Sequence, residues 1–142
     1  MKTFFPILAL LLSMSWSACN KPVNEAPVVE FQLGQSFDLS PGQQGDCSCG
    51  GLSITFEKVL EDSRCPIGLD CVWIGQVKVR LKIKTSTEER IFEPSYSAIQ
   101  SSLPSENIGK YSVLFLDLSP YPAGDNAIRD EDYRVSLMVS TL

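Results

Sequence analysis

Apolar and charged or polar side chains alternate without interruption along residues 76–85. Successive side chains of a strand point to opposite faces, so this period of two predicts a half-buried β-strand. The apolar members are Val77, Val79, Leu81 and Ile83. The basic members are Lys78, Arg80, Lys82 and Lys84. No stretch of the body shows a comparable helical period, so the chain is constrained to a β fold.

Further short strands are expected between clusters of Gly, Pro, Ser and Asp. They are placed at residues 28–33, 36–39, 52–60, 89–93, 111–118 and 133–139. The first two are expected to pair around Gly34, and loss of phase at residues 58–60 predicts a bulge or a switch of face. Residues 97–108 are assigned a loop or one short helical turn. About seven strands predict an all-β fold, an antiparallel β-sandwich or small barrel.

The first nineteen residues carry an export signal. Lys2 supplies a positive start, residues 4–12 form an apolar run broken only by Pro6, and small or polar residues lead to Cys19. The run is too short to span a bilayer. This pattern predicts a signal peptide over residues 1–18 and lipid attachment at Cys19. The alternative is ordinary cleavage that leaves Cys19 as a free thiol.

The predicted anchor sets the domain organisation and the address. Residues 19–29 would be the lipidated cysteine and a flexible tether, and residues 30–142 a single β domain. Asn20 after the cysteine agrees with sorting to the cell outer membrane, on its periplasmic or surface face. The first expected partner is therefore the lipid bilayer, through acyl chains on Cys19.

Charge and composition remove several classes of function. Without Lys2 the chain holds eleven basic and seventeen acidic residues, a net charge of −6. Such a chain offers no basic field to attract nucleic acid. Histidine is absent, which excludes a Ser-His-Asp triad, a Cys-His pair and any His-ligated metal. No cofactor is expected.

The four other cysteines fall on either side of the strand at residues 52–60. An extended strand of this length separates its ends by roughly 30 Å, whereas a disulfide needs Cα atoms within about 7 Å. Cys65 is therefore expected to pair with Cys71 across a turn-rich loop. Cys47 and Cys49 could form a strained disulfide, remain inert thiols, or serve a redox or soft-metal role. A four-cysteine zinc site fits this spacing poorly.

Asp62, Ser63 and Arg64 adjoin the Cys65–Cys71 loop and have two interpretations. In the first, Arg64 offers a planar fork to a carboxylate or phosphate, and Ile67 with Leu69 forms an apolar recognition tip. In the second, Asp62 caps the turn and Arg64 pairs with it or another acid. The structural interpretation is preferred.

The basic row on residues 78–84 also has two interpretations. It could bind an acidic polymer, or it could be a solvated face paired with acids. A two-residue turn at residues 86–87 would place Lys84 opposite Glu89, Arg80 opposite Glu93, and Leu81 opposite Phe92. The solvated face is preferred.

Two further groups are candidates for binding. Oxygen ligands within residues 125–132 could hold calcium, or they could form a solvated acidic loop: Asp125, Asn126, Asp130, Glu131 and Asp132. Trp73 and Tyr121 could build an aromatic platform, although Trp73 is expected in the core.

Several motifs resemble a family of small secreted bacterial domains. They are GLSITF at 51–56, EDSRCP at 61–66, CVW at 71–73, LSPYP at 118–122 and DYRV at 132–135. The family occurs mostly in lipoproteins of the Bacteroidetes kind. The resemblance implies a fold and an address, not a reaction. It also implies that the Cys65–Cys71 pair recurs, with Cys47 and Cys49 as additions.

The protein is expected to be a lipid-anchored envelope protein with a non-catalytic binding or structural β domain. Besides the bilayer, its expected partner is an envelope protein or glycan. One alternative is an inhibitor or receptor module that uses residues 64–71. Another is a hydrolase that uses Glu61 with Asp62 or Asp132. A deep pocket around Glu61, Asp62 and Arg64 would favour the enzyme, and a protruding loop would favour recognition.

Overall fold

The computed structural model describes residues 27–124 and 127–142, which form ten strands. The strands are Val29–Phe31 (β1), Ser36–Leu39 (β2), Gln44–Cys47 (β3), Leu52–Asp62 (β4), Val77–Thr85 (β5), Glu89–Phe92 (β6), Ser95–Tyr96 (β7), Ser105–Ile108 (β8), Tyr111–Ser119 (β9) and Arg134–Thr141 (β10). One 3-10 turn covers Asp130–Asp132. Within these ranges no helix is long and apolar enough to cross a membrane. The predicted signal peptide, Cys19 and most of the tether lie outside the described residues.

The strands make two sheets that pack face to face. The first has the order β1-β3-β4-β5-β6, with β7 also paired to β5, and the second has the order β2-β10-β9-β8. The sandwich is thus confirmed over the barrel. All pairings are antiparallel except that of β1 with β3, which is parallel.

The core follows from the alternation seen in the sequence. Inward-facing residues of both sheets are buried, among them Phe56 on β4 and Phe115 on β9, which are fully covered. The four apolar members of β5 are buried, as predicted. The same holds at the last strand for Tyr133, Val135, Leu137 and Val139. Among the described residues, twenty core side chains lie between Phe31 and Val139. A fragment starting at Asn20 keeps all twenty.

The expected pairing of the first two strands is wrong. β1 and β2 belong to different sheets, because the turn at Gly34 carries the chain across the sandwich. The Gly34 N–H donates to the carbonyl of Val139 at 2.7 Å. Phe31 and Phe37 then stack between the sheets with centroids 4.0 Å apart. A turn between adjacent strands does not by itself make a hairpin when both strands have buried faces.

The predicted bulge in β4 and the β5–β6 register are confirmed. Pairing of β4 with β5 shifts between Phe56 and Lys58 and again between Val59 and Glu61. Leu81 lies opposite Phe92, and Lys84 lies opposite Glu89. The short strands β3, β7 and β8 were not predicted, because their two to four residues carry no long alternation; β8 falls inside the predicted loop at residues 97–108.

β4 defines the two ends of the molecule. Its last residue, Asp62, marks the Asp62 end, where Leu118 of β9 and Tyr133, just before β10, also lie. Its first residue, Leu52, marks the Leu52 end. Tyr111 of β9 reaches this end, with its hydroxyl 3.5 Å from the Gly50 carbonyl.

Candidate functional site

The connection between β4 and β5 forms a long loop at the Asp62 end. Cys65 and Cys71 are joined by a disulfide with Cα atoms 5.8 Å apart, which confirms the predicted pairing. Inside the ring, the Leu69 N–H donates to the Pro66 carbonyl at 3.1 Å. The covalent link and the turn together fix a small closed ring on the sandwich.

An ion pair fastens the base of this loop. The Arg64 Nε donates to Asp62 Oδ1 at 2.8 Å and its Nη2 to Oδ2 at 2.7 Å. The two side chains are only 9% and 5% exposed. The Arg64 N–H also lies 3.4 Å from Asp62 Oδ1, which is the turn-capping contact of the structural interpretation. A bidentate pair of this kind is among the stronger polar contacts in proteins.

The same pair connects the loop to the second sheet. Arg64 donates to the carbonyls of Leu118 at 2.7 Å and Pro120 at 3.0 Å. The Tyr133 hydroxyl donates to Asp62 Oδ2 at 3.1 Å. The guanidinium also lies over the Tyr121 ring, 4.7 Å from its centroid. The donors of Arg64 therefore face the protein's own groups rather than a ligand, and the proposed fork for a foreign anion is already occupied.

Burial of Tyr133 changes its acidity. Loss of hydration, followed by the charge of the neighbouring Asp62 carboxylate, raises the pKa of the Tyr133 phenol to about 12. The phenol therefore stays protonated, as a hydrogen-bond donor to Asp62 must. This link between Tyr133, just before β10, and the base of the loop was not predicted, because its partners lie 71 positions apart in the sequence.

Backbone contacts hold the tip of the loop as well. The Ile67 N–H donates to the Pro122 carbonyl at 2.9 Å, and the Gly124 N–H donates to the Ile67 carbonyl at 3.2 Å. On the return to β5, Gly75 adopts φ +73°, and a Cβ there would fall 2.0 Å from the Ser63 carbonyl oxygen. Only glycine fits so close to another backbone.

Apart from Asp70, the large side chains that this loop exposes to solvent are apolar. We call them the apolar crest: Ile67, Leu69, Val72, Trp73, Ile74 and, from the β9–β10 connection, Tyr121. All six are exposed, with Val72 at 97%, Ile67 at 66% and Trp73 at 59%. Exposed apolar groups concentrated at one site are typical of interaction surfaces.

Trp73 therefore contradicts its predicted place in the core. Its Nε1 donates to the Ser63 carbonyl at 3.2 Å, which orients the ring on the surface. Tyr121, which was predicted to form an aromatic platform with Trp73, is exposed at the same end of the molecule. Val72 and Ile74 were missed as site residues, although three consecutive apolar residues after Cys71, in a segment too short for a strand, are a readable signal.

A small cleft of about 60 Å³ adjoins the crest. Its walls include Ile74 and Tyr121 of the crest, Tyr96 and Val77 of the first sheet, and Asp117 of the second. The volume suits one small side chain rather than a substrate. Arg64 also lines this cleft, which at about 60 Å³ is not the deep pocket around Glu61, Asp62 and Arg64 that the hydrolase hypothesis requires.

The acids proposed for hydrolysis are each engaged elsewhere. Glu61 accepts hydrogen bonds from the Ser63 hydroxyl at 2.8 Å and the Gln76 amide at 3.0 Å. Asp132 accepts from Arg129 at 2.8 Å in an exposed pair. With Asp62 bound to Arg64, the three carboxylates do not form a common site.

The basic row pairs partly with acids, as the preferred interpretation predicts. Lys78 and Arg80 both contact Glu93, at 3.1 and 2.7 Å. Hydrogen bonds from Arg80 and then Lys78 lower the pKa of Glu93. Lys82 lies opposite Ile91 across the β5–β6 pair. The face is an ordinary solvated one.

Only part of the acidic loop at residues 125–132 lies within the described residues. Asp125 and Asn126 lie outside them. In the described part of the loop, Arg129 contacts Glu131 at 3.1 Å as well as Asp132. Nowhere in residues 27–124 or 127–142 do three metal-ligating side chains gather. The calcium hypothesis gains no support from these contacts.

The Leu52 end carries the second cysteine pair. Cys47 and Cys49 are joined by a disulfide with Cα atoms 5.0 Å apart, the first of the three alternatives. Beside it lies a wide, shallow depression of about 510 Å³, whose lining includes Gly50, Gly51 and Lys84. Its lining also includes the polar side chains of Gln44, Asp46, Ser53, Thr85 and Ser86, but the depression is open to solvent. Comparison with family models, curated proteins and solved structures found no match.

Proposed function

We propose that this protein is a lipid-anchored component of the cell outer membrane whose β domain is a non-catalytic binding module. The observation that carries the proposal is the apolar crest on a loop that is fastened at several points. Attachment at Cys19 would hold the domain at the membrane, and the crest would make its specific contact. The resemblance to secreted lipoprotein domains points to the same address.

The rigidity of the loop favours a role in binding over a role as a passive connection between β4 and β5. The loop is fixed by the Cys65–Cys71 disulfide, by the Arg64–Asp62 pair and by the backbone contacts of Ile67. A surface that is already ordered loses little conformational entropy when a partner docks. The crest residues therefore stay exposed in a defined arrangement and do not collapse onto the sandwich.

An inhibitor or receptor module remains an alternative, but with different recognition residues. Arg64 supports the loop from below, so recognition would rest on Ile67, Leu69 and their apolar neighbours. The hydrolase alternative is weakened, since Glu61, Asp62 and Asp132 each bind a different group. The exposed apolar side chains of this loop support the binding module most directly.

The anchor is tested by fractionation of cells that express the full chain. Cys19→Ala should release the protein from the outer membrane or leave it unprocessed with its leader. A processed variant that stays in the membrane fraction like the wild type would contradict the lipid anchor.

The binding surface is tested with the soluble fragment of residues 20–142 and isolated envelope membranes. Val72→Ser combined with Ile67→Ser should reduce co-sedimentation with the membranes. Ile91→Ser is the matched control, since Ile91 is an exposed apolar residue on β6, away from the crest. Equal loss in both variants, or none in either, would show that the crest is not the binding surface.

A further inference from the structure

We propose that the apolar crest docks on the lipid surface itself, as a second membrane contact beside the acyl chains on Cys19. This inference rests on the proposed lipid anchor and names the partner of the same binding surface. The partner is the interfacial region of a bilayer with electrically neutral headgroups.

The direction of β1 shows from which side the chain enters the domain. β1 is parallel to β3, and β3 is antiparallel to β4. Because β4 runs toward Asp62, following β1 backward from Val29 to Pro27 also leads toward the Asp62 end. The chain therefore enters the domain from the side on which the crest lies.

The length between Cys19 and the domain permits both contacts at once. Pro27 is fixed near Gln43, whose amide donates to the Pro27 carbonyl at 2.8 Å, and Gln43 in turn accepts from the Phe56 N–H. From Phe56 to Asp62 is about 20 Å along β4. The eight residues from Cys19 to Pro27 span at most about 26–29 Å. A tether of this reach is long enough for the Asp62 end to touch the membrane while Cys19 is anchored in it.

The chemistry of the crest suits a lipid interface. Residues 65–74 contain aliphatic and aromatic side chains, one acid at Asp70 and no Lys or Arg. Trp73 and Tyr121 have the amphipathic rings that are enriched at the level of lipid headgroups. The net charge of −6 opposes an anionic surface, which is why the proposed partner has neutral headgroups.

A weak contact is sufficient for a tethered domain. The anchor makes docking an intramolecular event, so its effective concentration is high even when the free domain binds poorly. A fluid bilayer also needs no matching groove, and the cleft beside the crest, of about 60 Å³, would take no more than one small side chain of a protein partner.

The test replaces the lipid by a tag and uses Trp73 as the probe. The chain has two tryptophans, and Trp16 lies in the leader, so Trp73 is the single tryptophan of residues 20–142. The chain has no histidine, so a hexahistidine tag before Asn20 is its one attachment point for nickel-chelating lipid in phosphatidylcholine–phosphatidylethanolamine vesicles. Trp73 emission should shift to the blue, and the acrylamide quenching constant should fall about twofold or more.

The matched control carries the tag after Leu142 on an eight-residue spacer. The Leu142 N–H donates a hydrogen bond to the Lys110 carbonyl at 3.0 Å, at the Leu52 end. This tag turns the crest away from the vesicle, so Trp73 should keep its solution spectrum. In the protein tagged before Asn20, Val72→Ser with Ile67→Ser should abolish the shift, while Ile91→Ser should preserve it.

Two results would overturn the lipid contact. One is an unchanged Trp73 spectrum with the tag before Asn20, and the other is an equal shift with the tag at either terminus. A shift that arises only with vesicles containing extracted envelope proteins would assign the crest to a protein partner instead. Because the tag stands in for the acyl chains, these results are independent of the Cys19→Ala fractionation.

Discussion

Replacing Arg64 by alanine should destabilise the sandwich much more than loss of an ordinary surface ion pair. The change leaves the Asp62 carboxylate, 5% exposed, without its counter-charge. It also removes the donors to the carbonyls of Leu118 and Pro120. Breaking one side of a buried pair costs about 3–5 kcal/mol. A domain of this size has about 5–15 kcal/mol of stability in all, so the loss should be plain.

The measurement is urea unfolding of oxidised residues 20–142, followed by far-UV circular dichroism. Arg129→Ala is the matched control, because Arg129 makes the same two-pronged contact with Asp132 at 2.8 and 2.9 Å on an exposed surface. The control should lose about 0–1 kcal/mol. The denaturant slope should stay constant, which shows that stability and not the unfolded state has changed.

A double variant separates the pair from its parts. Asp62→Ala combined with Arg64→Ala removes the uncompensated carboxylate together with its partner. The double variant should therefore be no less stable than Arg64→Ala alone, a clear departure from additivity. A loss under about 1 kcal/mol for Arg64→Ala, or simple addition of the two single losses, would refute a buried and mutually dependent pair.

Other positions give independent tests by the same unfolding assay. Cys65→Ser with Cys71→Ser should lower stability by about 2–3 kcal/mol, and no loss would mean that the ring does not constrain the unfolded chain. Gly75→Ala should cost more than Gly68→Ala, since both have positive φ but only Gly75 lies against another backbone segment; equal costs would contradict that close approach. Burial raises the pKa of Tyr133 from 10.0 to about 12, so the unfolded state loses its proton first and stability should fall as pH rises from 10 toward 12. Tyr133→Phe should flatten that fall. If the pH profile of this variant is unchanged, the titration of Tyr133 is not its cause.

The sequence was most informative where alternation was long. The nine residues of β5 predicted their own buried face and, through the turn at residues 86–87, the register with β6. The Cys65–Cys71 pairing followed from the length of β4, because an extended strand keeps the other cysteines away. These predictions depend on local geometry, which the sequence specifies directly.

Predictions that depended on tertiary context were less successful. Whether β1 pairs with β2 is decided by how both faces are covered, and Gly34 permits either a hairpin or a crossing between sheets. Trp73 was expected in the core, yet it is exposed, and its Nε1 donates to the Ser63 carbonyl at the surface. The contact of Tyr133 with Asp62 joins residues 71 positions apart and has no local signature.

The Asp62 end reverses the usual distribution of side chains. In the sandwich, inward-facing apolar groups are buried and charged groups are solvated. In the loop, the side chains of Asp62 and Arg64 are only 5% and 9% exposed, whereas the apolar crest is exposed. Burial of an ion pair adds little stability compared with an apolar pair of the same shape, and exposed apolar groups forfeit the stability that their burial would add. Since folding alone favours neither choice, the reversal points to a contact made by the crest outside the domain, where its apolar surface is covered.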